Sequence, residues 1–246
     1  MTTQDPIAGR TVLVTGASRG LGRALVQEAL RRDARRVYAG MRQPDAHPDA
    51  HSDDRVTPLP LDVTDQAQIQ AAVKAIDDLD ILVNNAGLAI FDDLSDPAVL
   101  EQHLRVNLFG PYAVTQAFTP LLAASRGTLV NVLSTSALTP VPVIPAYSIS
   151  KAAAFSLTQA FRALLAAKGI RVHAVLPGPV DTDMARDLDI PKAGPASVAR
   201  AVFDGVAAGQ EEIFPDPMSA ALATGWTTSP VKALEAQNIA LMADSR

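Results

Sequence analysis

Tyr147 and Lys151 stand four positions apart, a spacing that on a helix puts both side chains on one face. A free phenol titrates near ~10 and exchanges protons poorly at neutral pH, but a nearby ammonium favours the phenolate and eases the exchange. The pair is therefore a candidate proton-transfer couple. Both residue types are common, so placement decides its worth. Ser134 ends the apolar run Thr128-Leu129-Val130-Asn131-Val132-Leu133, thirteen positions before Tyr147, and offers a hydroxyl to orient a reacting oxygen. Asn107, in Val106-Asn107-Leu108-Phe109-Gly110, adds a fourth polar group. Each has an ordinary reading alone: Ser134 as a turn cap, Asn107 as a backbone partner across a helix kink, Tyr147 as an interface aromatic.

A second constellation lies near the N-terminus. Thr15-Gly16-Ala17-Ser18-Arg19-Gly20-Leu21-Gly22 follows the β-branched run Thr11-Val12-Leu13-Val14 and opens a helical pattern through Leu21, Ala24, Leu25 and Ala29. Glycines at 16, 20 and 22 let the backbone turn tightly and approach a pyrophosphate, to which the helix N-terminus supplies free N–H groups and a positive dipole end.

The elements that must position these residues alternate. Strands are expected at Val37–Gly40, Val56–Leu61, Ile81–Val83, Thr128–Leu133 and Ile170–Val175, with a short last one at Glu211–Phe214. Helices are expected from Thr64 or Asp65 to about Asp77, from Leu100 to Leu122 with a late break at Pro120, from Tyr147 to Lys168 ending at Gly169, and from Ser197 to Ala208. This order predicts an α/β fold, a doubly wound, Rossmann-like parallel sheet with helices on both faces and ligands at the carboxyl ends of the strands. Hydrophobic residues make up 48% and aromatics 4%, as suits a buried sheet filled by Ala, Val, Leu and Ile. No linker divides residues 1–246, so a single domain is expected.

With its Gly-x-x-x-Gly-x-Gly spacing and Asn107, Ser134, Tyr147 and Lys151 in order, the chain resembles the short-chain dehydrogenase/reductase family over nearly its whole length, in the short, NADP(H)-preferring branch. The resemblance implies that Gly16, Ser18, Arg19, Gly20, Leu21 and Gly22 hold the cofactor, that Asp62 and Val63 of Leu61-Asp62-Val63 meet its adenine, and that Asn85, Ala86 and Gly87 of Asn84-Asn85-Ala86-Gly87 line its ribose. Asp62 fits a turn or helix cap equally well. It implies further that Tyr147 exchanges a proton with a carbonyl or alcohol oxygen as hydride passes to or from the nicotinamide. Ser134 orients that oxygen, Lys151 also holds the nicotinamide ribose, and Asn107 anchors a water leading from Lys151 to solvent. In Pro177-Gly178-Pro179-Val180-Asp181-Thr182, Val180 and Thr182 are implied to hold the carboxamide, with Pro177 and Gly178 shaping the loop.

Where an NAD enzyme carries an acid after the second strand, this chain has Met41 and then Arg42, and Arg19 lies in the glycine turn. Two guanidinium groups suit a 2′-phosphate, so NADP(H) is expected. The alternative for Arg42 is a solvated loop residue. Residues 183–195 fall at the family's substrate lid and are short, and 215–246 read as a C-terminal extension. Leu88, Ile90, Leu138, Val141, Val143 and Ile144, with Met184, Leu188 and Ile190, predict an apolar pocket for a ketone or aldehyde with a hydrophobic or aryl substituent. A 3-oxoacyl thioester reductase and a catalytically silent NADP(H) sensor are the alternatives.

A formal net charge of −5 without a basic face argues against nucleic acid and acidic membranes as partners. There is no cysteine, which excludes thiol catalysis. The polar segment Met1–Arg10 has no apolar signal core, and a cytoplasmic protein is expected. No metal is expected: His47 and His51 lie among aspartates at loose spacing in a solvated loop. His173 is expected in the core or an interface and His103 on a helix surface. The helices over 100–122 and 147–168 offer faces for a homodimer or homotetramer.

Overall fold

The structure, a computed structural model, describes residues 5–46 and 53–243. Seven strands, β1 (Thr11–Thr15), β2 (Arg36–Met41), β3 (Val56–Pro60), β4 (Ile81–Asn84), β5 (Thr128–Val132), β6 (Arg171–Val175) and β7 (Glu212–Ile213), form one sheet in the order β3-β2-β1-β4-β5-β6-β7. Every pairing is parallel. The chain winds outward in both directions from β1, so the β1/β4 boundary is the switch point at which the Rossmann pattern opens a crevice.

Residues along β1 alternate between two cores, as the strand period of two requires. Val12 and Val14 face a cluster with Leu25 and Ala29 of α1 (Gly20–Arg31) and Val202 and Phe203 of α6 (Pro195–Ala207). Leu13 faces the other side. There it joins Leu82 and Leu129, Ile69 of α2 (Gln66–Ala75), Phe118 of α4 (Gly110–Ser125) and Phe161 of α5 (Pro145–Ala166). The expected doubly wound sheet is thus present, and the strand positions agree with the sequence pattern to within a residue or two.

The stretch expected as one helix over 100–122 differs. It begins earlier, as α3 (Pro97–Leu104), because Asp96 caps the N–H of Ala98 and Pro97 sits where no N–H is needed. It then passes through a π turn at Arg105–Phe109 and continues as α4 to Ser125. Pro120 does not break it. Pro120 and Gln116, four residues earlier, lie on the exposed side, so water can take the carbonyl that the proline leaves without a donor. Gly169, at φ +74°, follows α5 as expected.

After β7 the chain adds α7 (Pro217–Trp226) and α8 (Pro230–Ala243). An ion network ties α8 back to the sheet edge: Arg162 of α5 pairs with Glu212 at 2.9 Å and with Glu235, and Lys232 pairs with Glu235 at 2.7 Å and Glu211 at 2.6 Å. The carboxylates of Glu211, Glu212 and Glu235 converge within 4.8 Å, but these two cations already answer their charge. His47 and His51 lie outside the described residues, while Asp53 of that loop is engaged by Arg55 at 2.8 Å. Among the described residues no helix is long and apolar enough to cross a membrane.

Candidate active site

The turn after β1 is locked to the turn after β4. Thr15 Oγ1 accepts the N–H groups of Asn85 and Ala86 at 3.0 Å each, and Asn85 Nδ2 donates to the carbonyls of Thr15 at 2.9 Å and Gly16 at 3.2 Å. Gly16 is at φ +67°, and a Cβ on it would lie 2.8 Å from Ala86 Cα. A Cβ on Gly22 would lie 2.1 Å from the Gly16 carbonyl. These contacts explain the glycines and draw the N-terminus of α1 toward the crevice.

That N-terminus differs from those of α2, α3 and α7, which Asp65, Asp96 and Asp216 cap through side-chain oxygens. Arg19 precedes α1, its side chain makes no cap, and no acidic residue stands in the first turn. The first N–H groups and the dipole end are thus left for an anion, which fits the pyrophosphate of a dinucleotide.

Tyr147 and Lys151, on the first turns of α5, are both buried, and the Lys151 ammonium lies 5.6 Å from the phenol ring centre. Lys151 Nζ donates to the Val132 carbonyl at 2.9 Å, which fixes it under the end of β5. Burial pushes Tyr147 up to about 12, opposed by a side-chain hydrogen bond from Ser134, and burial brings Lys151 down to about 8. The lowering expected of the phenol belongs to the ammonium together with an oxidised nicotinamide. For the protein alone, burial is the largest influence on the phenol, with Ser134 opposing it. Burial thus favours the protonated phenol, the form that can donate.

Asn107 sits in the π turn, the kind of local bulge that recurs at functional sites. Its amide clasps the backbone of Leu88, with Nδ2 donating to the carbonyl and Oδ1 accepting from the N–H, both at 2.8 Å. Nδ2 also donates to Ser150 Oγ at 2.9 Å. Asn107 therefore bonds backbone, as the ordinary reading has it, but in the loop after β4 rather than across its own kink, and it holds that loop beside Lys151. A Cβ on Gly87 would lie 3.5 Å from Asn107 Oδ1 and 3.7 Å from Lys151 Nζ, so both polar ends approach one point.

The loop after β6 is held on three sides. The Pro177 carbonyl accepts the N–H of Thr135 at 2.9 Å, tying it to the Ser134 turn. Gly178 N–H donates to Asp216 Oδ2 at 2.8 Å, and Asp181 N–H donates to the Ala193 carbonyl at 2.9 Å. Thr182 Oγ1 donates to the Val180 carbonyl at 3.3 Å, and Thr182 Cγ2 would lie 3.0 Å from a Cβ on Gly20. The expected carboxamide loop thus rests against the glycine turn.

Four expectations need correction or refinement. Arg19 is engaged elsewhere in this structure: it pairs with Asp183 at 2.9 Å, across to the segment after Thr182. Arg42 is exposed at the end of β2, beside buried Met41. Asp62 accepts the Thr64 N–H at 2.8 Å and hydroxyl at 2.7 Å, the turn role that the sequence also allowed, and Val63 is packed in the core against Gly110. His103 is fully buried rather than on a helix surface. Its Nδ1 lies 2.7 Å from the Val99 carbonyl, its Nε2 accepts the Ile90 N–H at 3.1 Å, and its ring meets Tyr147 edge-on with centres 6.3 Å apart. His173 is buried in β6, as expected.

Sequence reasoning missed the other anchor of the loop after β4. Asp92 accepts the Ala146 N–H at the start of α5, at 3.3 Å to each oxygen, across a separation of 54 residues. Leu88, Ile90, Leu138 and Ile144 are half-buried around this region, and Val141 and Val143 are exposed.

The model of a family described as short chain dehydrogenase matches residues 10–192. Short-chain dehydrogenase PC-15 of Penicillium crustosum is 40% identical over 181 residues, 70% of this chain and 66% of that protein. Estradiol 17-beta-dehydrogenase 2 of Mus musculus is 34% identical over 199 residues, 75% of this chain and 52% of its own. The chain spans just under two thirds of the length of the first of these curated relatives and about half of the second. A crystal structure of a short chain dehydrogenase from Burkholderia cenocepacia J2315 in complex with NADP superposes with a TM-score of 0.84 at 37% identity, covering 94% of this chain and 98% of that one. With the glycine turn, the Tyr147–Lys151 pair and the sheet order described above, these matches establish that the chain belongs to the short-chain dehydrogenase family.

Proposed function

We propose that this protein is an NADP(H)-dependent carbonyl reductase, running in reverse as a secondary-alcohol dehydrogenase, on ketones or aldehydes with a hydrophobic or aryl substituent. The observation that carries the reading is geometric: Tyr147 is buried one helical turn from Lys151, whose ammonium lies 5.6 Å from its ring centre, and burial favours the protonated phenol. When bound, the nicotinamide supplies or accepts the hydride. Tyr147 gives its proton to the carbonyl oxygen as charge develops there, and Ser134 donates a hydrogen bond that orients the same oxygen. Lys151 stabilises the resulting phenolate and holds the nicotinamide ribose, while Asn107 keeps the Leu88 backbone in place beside it and anchors a water that leads from Lys151 to solvent.

For the dinucleotide, the backbone at Gly16, Ser18, Gly20, Leu21 and Gly22 would meet the pyrophosphate. Asp62, Val63, Asn85, Ala86 and Gly87 would line the adenosine half, and Pro177, Gly178, Val180 and Thr182 the carboxamide half. Arg42 would take the 2′-phosphate, joined by Arg19 once it exchanges Asp183 for the phosphate. A Burkholderia cenocepacia relative holding NADP supports this choice, as does buried Met41 where an acid would select NAD. The estradiol dehydrogenase among the relatives supports an apolar ring-bearing substrate. Phe109, Tyr112, Ile149 and Leu164, exposed on or beside α4 and α5, support assembly into a homodimer or homotetramer.

The test is nucleotide oxidation across a panel of aliphatic, aryl and acyl-thioester carbonyls. NADPH consumption with hydrophobic ketones, at least about ten-fold above that with NADH, is expected, together with selective loss of NADPH affinity in an Arg19→Ala/Arg42→Ala variant. Tight NADPH binding without oxidation by any carbonyl would overturn the enzyme reading. Equal loss of both nucleotides in the variant would overturn the cofactor preference.

A further inference from the structure

The segment at the family's lid position, 183–195, is short, with a 3-10 turn at Asp183–Ala185, a single parallel bridge from Ala193 to Val180, and the start of α6 at Pro195. Something else must close that side of the cleft, and α7 is placed to do so. Its first turn is fastened to the loop after β6 by Asp216, a carboxylate only 6% exposed. One oxygen of Asp216 accepts the Gly178 N–H and the Ser219 hydroxyl, both at 2.8 Å; the other accepts the N–H groups of Met218 at 3.1 Å and Ser219 at 3.0 Å. Met218 packs directly on that loop, since a Cβ on Gly178 would lie 3.1 Å from Met218 Sδ.

The far end of α7 is fastened elsewhere. Trp226 packs on Phe155 of α5 at 5.8 Å between ring centres and on Phe214 at 6.0 Å, in a cluster that includes Leu133 and Leu138, on either side of the Ser134 turn. The helix therefore spans from the carboxamide loop to the Ser134 turn, the two loops that flank Tyr147. Met218, Leu222 and Trp226 follow one another at intervals of four and form one stripe of its surface. Trp226 is the end of that stripe that meets the body of the protein. Met218 and Leu222 continue it yet remain 62% and 46% exposed, and Met184 in the short lid is 50% exposed.

We infer that α7 replaces the shortened lid as the outer wall of the substrate pocket, and that Met218 and Leu222 set selectivity for carbonyls with a bulky apolar body. This inference rests on the carbonyl reductase reading for its ligand class but not for its readout. A thioether chain and a branched alkyl chain without a cation between them favour a saturated or aryl ring over a charged or phosphorylated substituent. Asp216 acts as a positioning residue: it sets the distance between this wall and the loop at Gly178.

Trp226 is the single tryptophan of the chain and lies on α7, so it reports on the wall directly. The full-length protein with NADP+ is titrated with 2-decalone, a bicyclic saturated ketone, while Trp226 emission is followed; turnover of 2-decalone and of acetone with NADPH is measured in parallel. The expected result is a saturable emission change whose midpoint rises about ten-fold in Met218→Ala/Leu222→Ala. The ratio of kcat/KM for 2-decalone to that for acetone should fall by a similar factor, at an unchanged melting temperature. Turnover of 2-decalone with silent Trp226 emission would overturn the wall, as would a variant that keeps the parent's midpoint and ratio. A saturable change that the variant weakens, in a protein that reduces neither ketone, would uphold the wall and remove the reductase reading instead.

Discussion

Around the glycine turn the cleft is shaped by backbone atoms that leave no space: one carbon added at Gly22 would lie 2.1 Å from a carbonyl oxygen, and one at Gly16 2.8 Å from Ala86 Cα. In the short lid and the wall proposed above, Met184, Ile190, Met218 and Leu222 are roughly half exposed and are long enough to take several rotamers. The first region has a shape that a single carbon destroys, and the second has a shape that adjusts. A rigid cradle suits a constant partner such as a dinucleotide, whereas an adjustable rim suits a family of related carbonyls. Tyr147 and Lys151 sit at the junction, buried like the first region but serving the second.

The largest effect should come from the junction. Tyr147→Phe removes the proton donor while leaving both regions standing, so kcat for ketone reduction should fall about 10²–10⁴-fold in steady-state assays. Near-normal turnover with NADPH still bound would end the mechanism.

Gly22→Ala strikes the rigid region. It should cost about 1–3 kcal/mol of stability, read by chemical denaturation, and weaken NADPH more than any single truncation at Met218 or Leu222 weakens a ketone. If alanine at position 22 is tolerated as readily as alanine at 222, the contrast between the regions is wrong.

The smallest effect concerns the cost of keeping an ammonium at the junction. Lys151 stands at about 8 against an ordinary 10.5, so between these values the unfolded chain binds more protons than the folded one. Folding stability therefore carries its full penalty below about pH 8 and recovers as pH rises toward 10.5. Lys151→Met should remove that penalty and flatten this part of the profile. The gain at neutral pH should be about 1–3 kcal/mol, reduced by the hydrogen bond lost at Val132, while reductase activity collapses. A variant less stable than the parent at pH 7 would show that the Val132 bond matters more than burial.

The parts of the site that were legible in the sequence are those set by neighbours along the chain. The glycine turn, the four-residue spacing of Tyr147 and Lys151, and the strand runs depend on local periodicity and backbone freedom, and the structure bears them out as geometry. The contacts that escaped reading join distant segments. Arg19 reaches Asp183 across 164 positions, Gly178 reaches Asp216 across 38, and Asp92 reaches Ala146 across 54. Nothing in the local pattern around Asp92 marks it as the partner of a helix start so far away. His103 was misread for a related reason: its place on a polar-looking helix gave no sign that Ile90 would cover it. Pro120 does not end the helix as its type alone suggests, because on the exposed side of α4 water can take the carbonyl it leaves without a donor.

The π turn at Arg105–Phe109 acts as a phase shifter. A regular helix advances about 100° per residue, so one extra residue in a turn offsets every side chain after it by roughly that angle. Val114, Phe118 and Leu122 point into the sheet only because the offset has been inserted upstream, at Asn107. If this turn wound as a regular α-turn with every residue kept, that apolar row would rotate toward solvent and Asn107 would turn away from Leu88. The winding of this turn therefore decides which face of α4 is buried, and a graft of the α3–α4 rod onto another scaffold that keeps these residues has to carry the bulge with them.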